Sequence, residues 1–411
     1  MTEKFFDALI VYINKKKVLF ILTLIMAAAA AFCFFVLPKV TAGQPVKAAV
    51  NSPEMARLNG KAILTYSNSD SVLYKGDMLN GHADGFGTLY EKNGVLVYEG
   101  GFSNDMYCGQ GKLYSEDGAL IYSGEFKDNL FHGQGTRYSA SGEEEYKGGF
   151  LDGKYSGYGE LNSAGIVYAG EFSEGLLNGE GVMFSGGNLL YKGGFRDNLF
   201  HGSGVLYGDN GDIIFRGNFE NGQYNGDGEL YGDGKLIYRG CFSRGLYNGE
   251  GEVYSGDCLF YSGSFVLGER TGEGTEYNEN GDVRYSGAFE NGIYNGVGSL
   301  YVLGSLFYKG DFLNGKRTGQ GKLYDFDGHL IYEGGFLNGL YDGKGTLYDR
   351  NTGVQVFSGN FRDGKALEEE AKKPSVPVVS EPAKTEEPPE PSKTAEPSKT
   401  AEEQNAKKGS A

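Results

Sequence analysis

Residues Tyr238 to Phe260 read YRGCFSRGLYNGEGEVYSGDCLF, and between Tyr74 and Phe361 a block of this form recurs every 22 to 25 residues. A period this short marks a repeat array, in which one small unit is stacked on its neighbours. The constant part is Tyr-x-Gly-x-Phe, a turn, and then Gly-x-Gly-x-x-Tyr. In each of twelve copies the opening aromatic and the closing position stand sixteen residues apart, so variation in length falls after the unit. The opening rings are Tyr74, Tyr98, Tyr122, Tyr146, Tyr168, Tyr191, Phe215, Tyr238, Tyr261, Tyr285, Tyr308 and Tyr332, and Phe357 begins a truncated thirteenth copy.

The turn inside the block reads Asn80-Gly81, Asp152-Gly153, Asn221-Gly222, Asn291-Gly292, Asn314-Gly315 and Asn338-Gly339. These dipeptides supply the two positive φ angles of a type I′ hairpin. Asp105, Asn129 and Asn198 stand where glycine is missing, and they are residue types that tolerate the left-handed region. A hairpin closed by this turn places Phe242 opposite Tyr247, Gly240 opposite Gly249 and Tyr238 opposite Gly251, all on one face. Large rings then cover glycines, which explains Gly-x-Gly as packing. The other face carries Arg239, Cys241, Asn248, Glu250 and Glu252 and is mostly solvated.

A second turn, such as Asn93-Gly94, Asp117-Gly118, Asn210-Gly211, Asn280-Gly281 or Asp327-Gly328, reverses the chain before the next copy. The expectation is an all-β fold, an elongated antiparallel meander of tandem β-hairpins with one aromatic face. Such a face must be covered by curling, by closing on itself or by a partner.

Composition divides the chain. Residues 60–365 carry 24 Lys and Arg against 41 acids, and all ten prolines lie outside them. The absence of proline suits a long ladder of backbone hydrogen bonds. The acidic balance argues against nucleic acid and anionic lipid as partners. Residues 366–411, with EPAKTEEPPEPSKTAEPSKTAEEQ, are too polar to offset ordering entropy and read as a disordered tail. Val18 to Leu37 is a stretch of twenty uncharged residues. As a helix it would rise about 30 Å and span a bilayer. Lys15, Lys16 and Lys17 before it place a short N-terminus, 1–17, in the cytoplasm and the array outside, beyond a linker at 38–59. Cleavage after Val40-Thr41-Ala42 would instead give a secreted protein, although a signal-peptide core is usually shorter.

Tyr-x-Gly-x-Phe-x-x-Gly-x-x-x-Gly-x-Gly-x-x-Tyr closely resembles the membrane occupation and recognition nexus (MORN) repeat over Tyr74 to Phe361. The resemblance implies a sheet of hairpins used in protein interaction, scaffolding or positioning at membranes, without catalysis by the repeats. A related group of bacterial antitoxin repeats shares such hairpins, but a cytosolic antitoxin does not account for the apolar stretch.

No catalytic residue, cofactor or metal site is expected. His132 and His201 lie in near-identical LFHGQG and LFHGSG segments, which duplication explains. No segment carries a nucleophile signature. The Gly-x-Gly units lack the following helix that a phosphate loop requires, and the period is not that of calcium-binding nonapeptides. Cys108, Cys241 and Cys258 are odd in number and are expected as free, packed thiols. The closing rings Tyr90, Tyr114, Tyr138, Tyr207, Tyr231, Tyr254, Tyr277, Tyr301, Tyr324 and Tyr348, with Phe184, leave the main aromatic face by strand parity. They form a candidate surface for a partner, glycan or proline-rich peptide, or they pack the second turns. The expected function is a membrane-anchored scaffold for unknown protein partners outside the cytoplasmic membrane, with self-association through open sheet edges. The alternatives are envelope glycan or peptidoglycan binding through the tyrosine row, and lipid tethering.

Overall fold

A computed structural model describes residues 44–367. The expected membrane span and nearly all of the polar tail lie outside them. The described residues form 28 β-strands and one 3-10 turn, Met55–Arg57, and none of their helices is long and apolar enough to cross a membrane. Two compact units divide the chain, residues 44–120 with 126–129 and residues 121–125 with 130–367.

In the first unit the strand Gly60–Thr65 pairs antiparallel with Val72–Leu79, setting Leu64 opposite Tyr74 and Ala62 opposite Gly76. On its other edge it pairs parallel with Val46–Ala49. The expected linker at 38–59 therefore contains a strand and a short helical turn. Ala48, Leu58, Ala62 and Leu64 are buried, so this segment covers the first repeat with small and aliphatic side chains. It carries no Tyr-x-Gly signature to announce it. In the second unit each strand from Leu130–Tyr138 to Lys365–Ala366 pairs antiparallel with the next.

The first turns have the expected geometry, with Asn221 at φ 50° and Gly222 at 79°, and Asp197 at 51° and Asn198 at 68° where glycine is missing. Each such turn also docks on the preceding copy. Gly245 N–H donates to the Tyr224 carbonyl and Gly268 N–H to the Tyr247 carbonyl, both at 2.9 Å. Asn198 adds a side-chain bond, its Oδ1 accepting from Leu177 N–H at 2.7 Å. Asp105 and Asn129 do the same for Ala83 and Tyr107.

The strand register differs from the expected one. Phe242 does face Tyr247, but Gly240 faces Gly251 and Tyr238 faces Val253. Between the Phe242 and Gly240 pairs, Cys241 alone stands across from Asn248, Gly249 and Glu250. Gly249, at φ 82°, makes this bulge, a conformation that L side chains resist. The two glycines of Gly-x-Gly thus have separate tasks. The first bends the strand and the second lies beneath the ring. Past the bulge the glycines align, Gly228, Gly240, Gly251, Gly263 and Gly274 pairing in succession across adjacent strands.

The opening tyrosine lies flat on this glycine row, and a Cβ added to Gly251 would collide with the Tyr238 ring and hydroxyl. Its hydroxyl donates to the carbonyl three residues on, at 2.7 to 3.3 Å in ten copies. The bulge turns the following strand so that Tyr247 stacks on Tyr238 at 3.8 Å between centroids and 5° between planes. Phe242 of the same copy and Phe265 of the next meet Tyr238 edge-on at 5.0 and 5.5 Å. Such pairs each contribute about 0.5–1.5 kcal/mol beyond area burial. Tyr238 has no exposed surface, and Phe242 and Tyr247 are almost as deeply buried. The aromatic face is covered by the rings of its own and the neighbouring copies.

Gly251→Ala should therefore destabilise by about 1–3 kcal/mol through overpacking, whereas Tyr238→Phe, which loses one hydrogen bond, should cost only about 0.5–1.5 kcal/mol. Urea unfolding midpoints of the two variants check the order; a Gly251→Ala protein as stable as the parent would contradict the packing.

Candidate functional site

With the rings turned inward, the opposite face of each unit is the surface open to a partner. On the second unit it carries rows of charge. The Arg239 guanidinium lies 3.1 Å from Glu229 and 3.8 Å from Glu252 on the two flanking strands, and Arg216 lies 3.6 Å from Glu229. A parallel row holds short polar groups, with the Cys241 thiol donating to Asp227 at 2.9 Å and the Ser264 hydroxyl to Glu250 at 2.5 Å. Large apolar side chains stand singly on the outer face of each unit at the middle position of Gly-x-Gly. Phe86 in the first unit, and Tyr158 and Val297 in the second, are each more than half exposed.

The closing row lies on this face, but its rings are half-buried. All ten tyrosines, Tyr90, Tyr114, Tyr138, Tyr207, Tyr231, Tyr254, Tyr277, Tyr301, Tyr324 and Tyr348, share this state. Most stand opposite an aliphatic residue across the second turn, as Tyr231 opposite Leu236, Tyr254 opposite Leu259, Tyr277 opposite Val283 and Tyr301 opposite Leu306. Tyr231 donates its hydroxyl to Glu229 at 2.7 Å and Tyr254 to Glu252 at 2.6 Å. Burial, and then the partner glutamate, raises the pKa of each of these two hydroxyls. At Tyr231 and Tyr254 the row thus ties its hydroxyls to carboxylates. That arrangement packs the second turns and offers hydroxyl and carboxylate groups to a ligand.

The other singled-out residues do not converge. His82 Nδ1 lies 2.5 Å from Asp105, and His132 Nδ1 3.7 Å from Asp152, in different copies. Asp325, Asp327 and His329 offer three donor atoms within 4.8 Å of one another. They sit in a second turn where the Asp325 carboxylate already accepts from the Asp327 and His329 N–H groups. The three described cysteines are free, and Cys258 is exposed rather than packed.

A family model described as MORN repeat matches eleven segments, residues 74–95, 98–120, 122–144, 146–164, 168–188, 191–213, 238–257, 261–283, 285–301, 308–330 and 332–354. The chain belongs to the MORN repeat family. No curated protein is similar enough to the chain to match it. The MORN copy that begins at Phe215 falls between two matched segments, yet it is built like the others. Phe215 stacks on Tyr224 at 3.8 Å and 10°, and Phe242 of the next copy meets it edge-on at 5.2 Å.

One cluster in the MORN array went unseen in the sequence. Arg270 occupies the place of Tyr247 in its copy and is wholly buried, as is Glu276. Arg270 Nη1 lies 2.7 Å from Glu276, and Arg270 Nη2 donates to the Gly292 carbonyl at 2.9 Å. Arg284 pairs with the same carboxylate at 2.8 Å, and the Tyr294 hydroxyl donates to it at 3.2 Å. The Arg270 guanidinium packs 5.3 Å from the Tyr261 ring centre and 5.2 Å from that of Phe289, in place of a stacked ring. Arg317 repeats the substitution, donating to the Gly339 carbonyl at 2.9 Å. The signal was available by comparing copies position by position, where an arginine stands in an aromatic column.

The buried tyrosines predict an alkaline limit. Burial pushes Tyr247 and Tyr332 up to about 12, with Tyr341 and Asp342 adding to the effect at Tyr332, and it raises the other opening tyrosines as well. Unfolded tyrosine titrates near pH 10. The folded state therefore holds protons that the unfolded chain releases. This stabilisation should be complete below about pH 10 and lost as the pH rises from there through 12. Tyrosinate absorbance followed together with circular dichroism should show the buried rings ionising in one step with loss of the sheet. Their ionisation in an intact sheet near pH 10 would refute the burial.

Proposed function

We propose that this chain is a membrane-anchored MORN scaffold that holds other proteins outside the cytoplasmic membrane. The observation that carries the reading is that the aromatic face covers itself. What each unit leaves for recognition is a polar, acid-rich outer face with isolated aromatic and aliphatic anchors such as Phe86, Tyr158 and Val297. A few large anchors in a polar surround are the pattern of a protein interface. The excess of acids favours a partner with a basic surface, since complementary charge speeds encounter and fixes orientation. The anchor rests on the twenty uncharged residues of Val18 to Leu37 and the three lysines before them, which support a cytoplasmic N-terminus and an array on the far side.

The full chain, purified in detergent and used as bait against a solubilised envelope fraction, should retain a protein in stoichiometric amount and release it at high salt. Glycan retained without protein would overturn the scaffold reading. It would move recognition to the closing row, where Tyr231→Ala, Tyr254→Ala and Tyr277→Ala combined should then abolish retention in a folded protein.

A further inference from the structure

A chain of near-identical hairpins has a difficulty that an ordinary domain lacks. Every junction between copies resembles every other, so one copy can dock on the wrong neighbour or on another molecule. We propose that two oppositely oriented charge pairs at the junctions of the second unit mark those junctions and hold the copies in their correct order.

The position fifteen residues after the opening ring is aliphatic in most copies, as in Leu206, Leu230, Leu300 and Leu347. It is Arg137 at one junction and Glu276 at another. The residue immediately before the next opening ring is elsewhere aliphatic or Phe, as in Ile214, Ile237 and Phe260, and is Glu145 and Arg284 at the same two junctions. The replacements are matched in space. Arg137 lies 3.3 Å from Glu145, and Glu276 lies 2.8 Å from Arg284. At both junctions the tyrosine that stacks on the next opening ring donates its hydroxyl to the glutamate, Tyr155 to Glu145 at 3.4 Å and Tyr294 to Glu276 at 3.2 Å. At the apolar junction of Leu206 and Ile214, the hydroxyl of the corresponding Tyr224 is buried without a partner among the described residues.

The two pairs run in opposite senses, base before acid at the first and acid before base at the second. If the copy opened by Tyr146 docked in the place of the one opened by Tyr285, Glu145 would meet Glu276. The reciprocal exchange would bring Arg137 against Arg284. Docking of any apolar junction on Glu276 would leave this fully buried carboxylate without Arg284, which is strongly unfavourable. Buried charge is a poor source of stability, but it discriminates well between arrangements. The Arg137 pair is partly exposed and the Glu276 cluster is not, so the latter supplies most of the discrimination.

The test separates marking from local stabilisation. Arg137→Glu combined with Glu145→Arg keeps the pair but gives both junctions the same sense. Two differently tagged versions of the full chain are denatured in urea and refolded together in detergent, and the fraction of molecules carrying both tags is measured. The variant should melt as the parent does, yet form several-fold more mixed species. A folded variant with a mixed fraction equal to the parent's would overturn the proposal. Should that variant not fold, Arg270→Tyr, Glu276→Leu and Arg284→Ile combined, which restores the side chains of other copies, decides by the same readout: more mixed species supports the proposal, and an unchanged fraction ends it.

Discussion

Everything in this array follows from a tyrosine lying on a pair of glycines. The ring can reach the sheet surface only where both cross-strand partners lack a Cβ. Once there, its hydroxyl meets the carbonyl three residues on, so the one polar atom of a buried side chain is satisfied within its own copy. The ring then serves as the floor for a second ring from the next strand and as the wall for phenylalanines from two copies. Phe215 shows that the position is defined by packing first, because it takes the same place with no hydroxyl to donate. A core shared in this way makes each copy depend on its neighbours, which is the reason such units occur in tandem.

Turn chemistry and the aromatic-over-glycine packing were legible in the sequence, since Asn-Gly and Tyr-x-Gly each have few physical meanings. The register beyond the first turn was not. Gly249 and Gly251 look alike in the sequence, and only backbone geometry separates the one that bends the strand from the one that lies beneath the ring. The parallel strand Val46–Ala49 was hidden because Ala48 alone of its four residues is buried, which gives no periodic signal. Arg270 stands in an aromatic column and Glu276 in an aliphatic one, but neither position alone announces a buried charge cluster. Their burial depends on each other and on Arg284, a pairing that appears only when the three positions are compared together. Of the candidate surface, the face of the closing tyrosines was legible from alternation, but their half-burial against residues such as Leu236 and Leu259 was not.

The same packing shapes function. A one-sided aromatic sheet would ordinarily need a partner to cover it. Here the bulge at Gly249 folds the second ring back, and the apolar face is consumed internally. The outer face is left exposed, and its side chains vary between copies. Arg239, Glu250 and Glu252 belong to one copy, Ser262 and Ser264 to the next. A scaffold assembled this way can present a different surface on every copy over an unchanging core.

Hydroxyl-radical footprinting of the partner-free protein tests this division of faces most directly. Tyr98, Tyr238, Tyr285 and Tyr332 should resist oxidation while Phe86 and Tyr158 are readily modified. Oxidation of the opening tyrosines in the folded, partner-free chain would show that the aromatic face is open and is itself the binding surface.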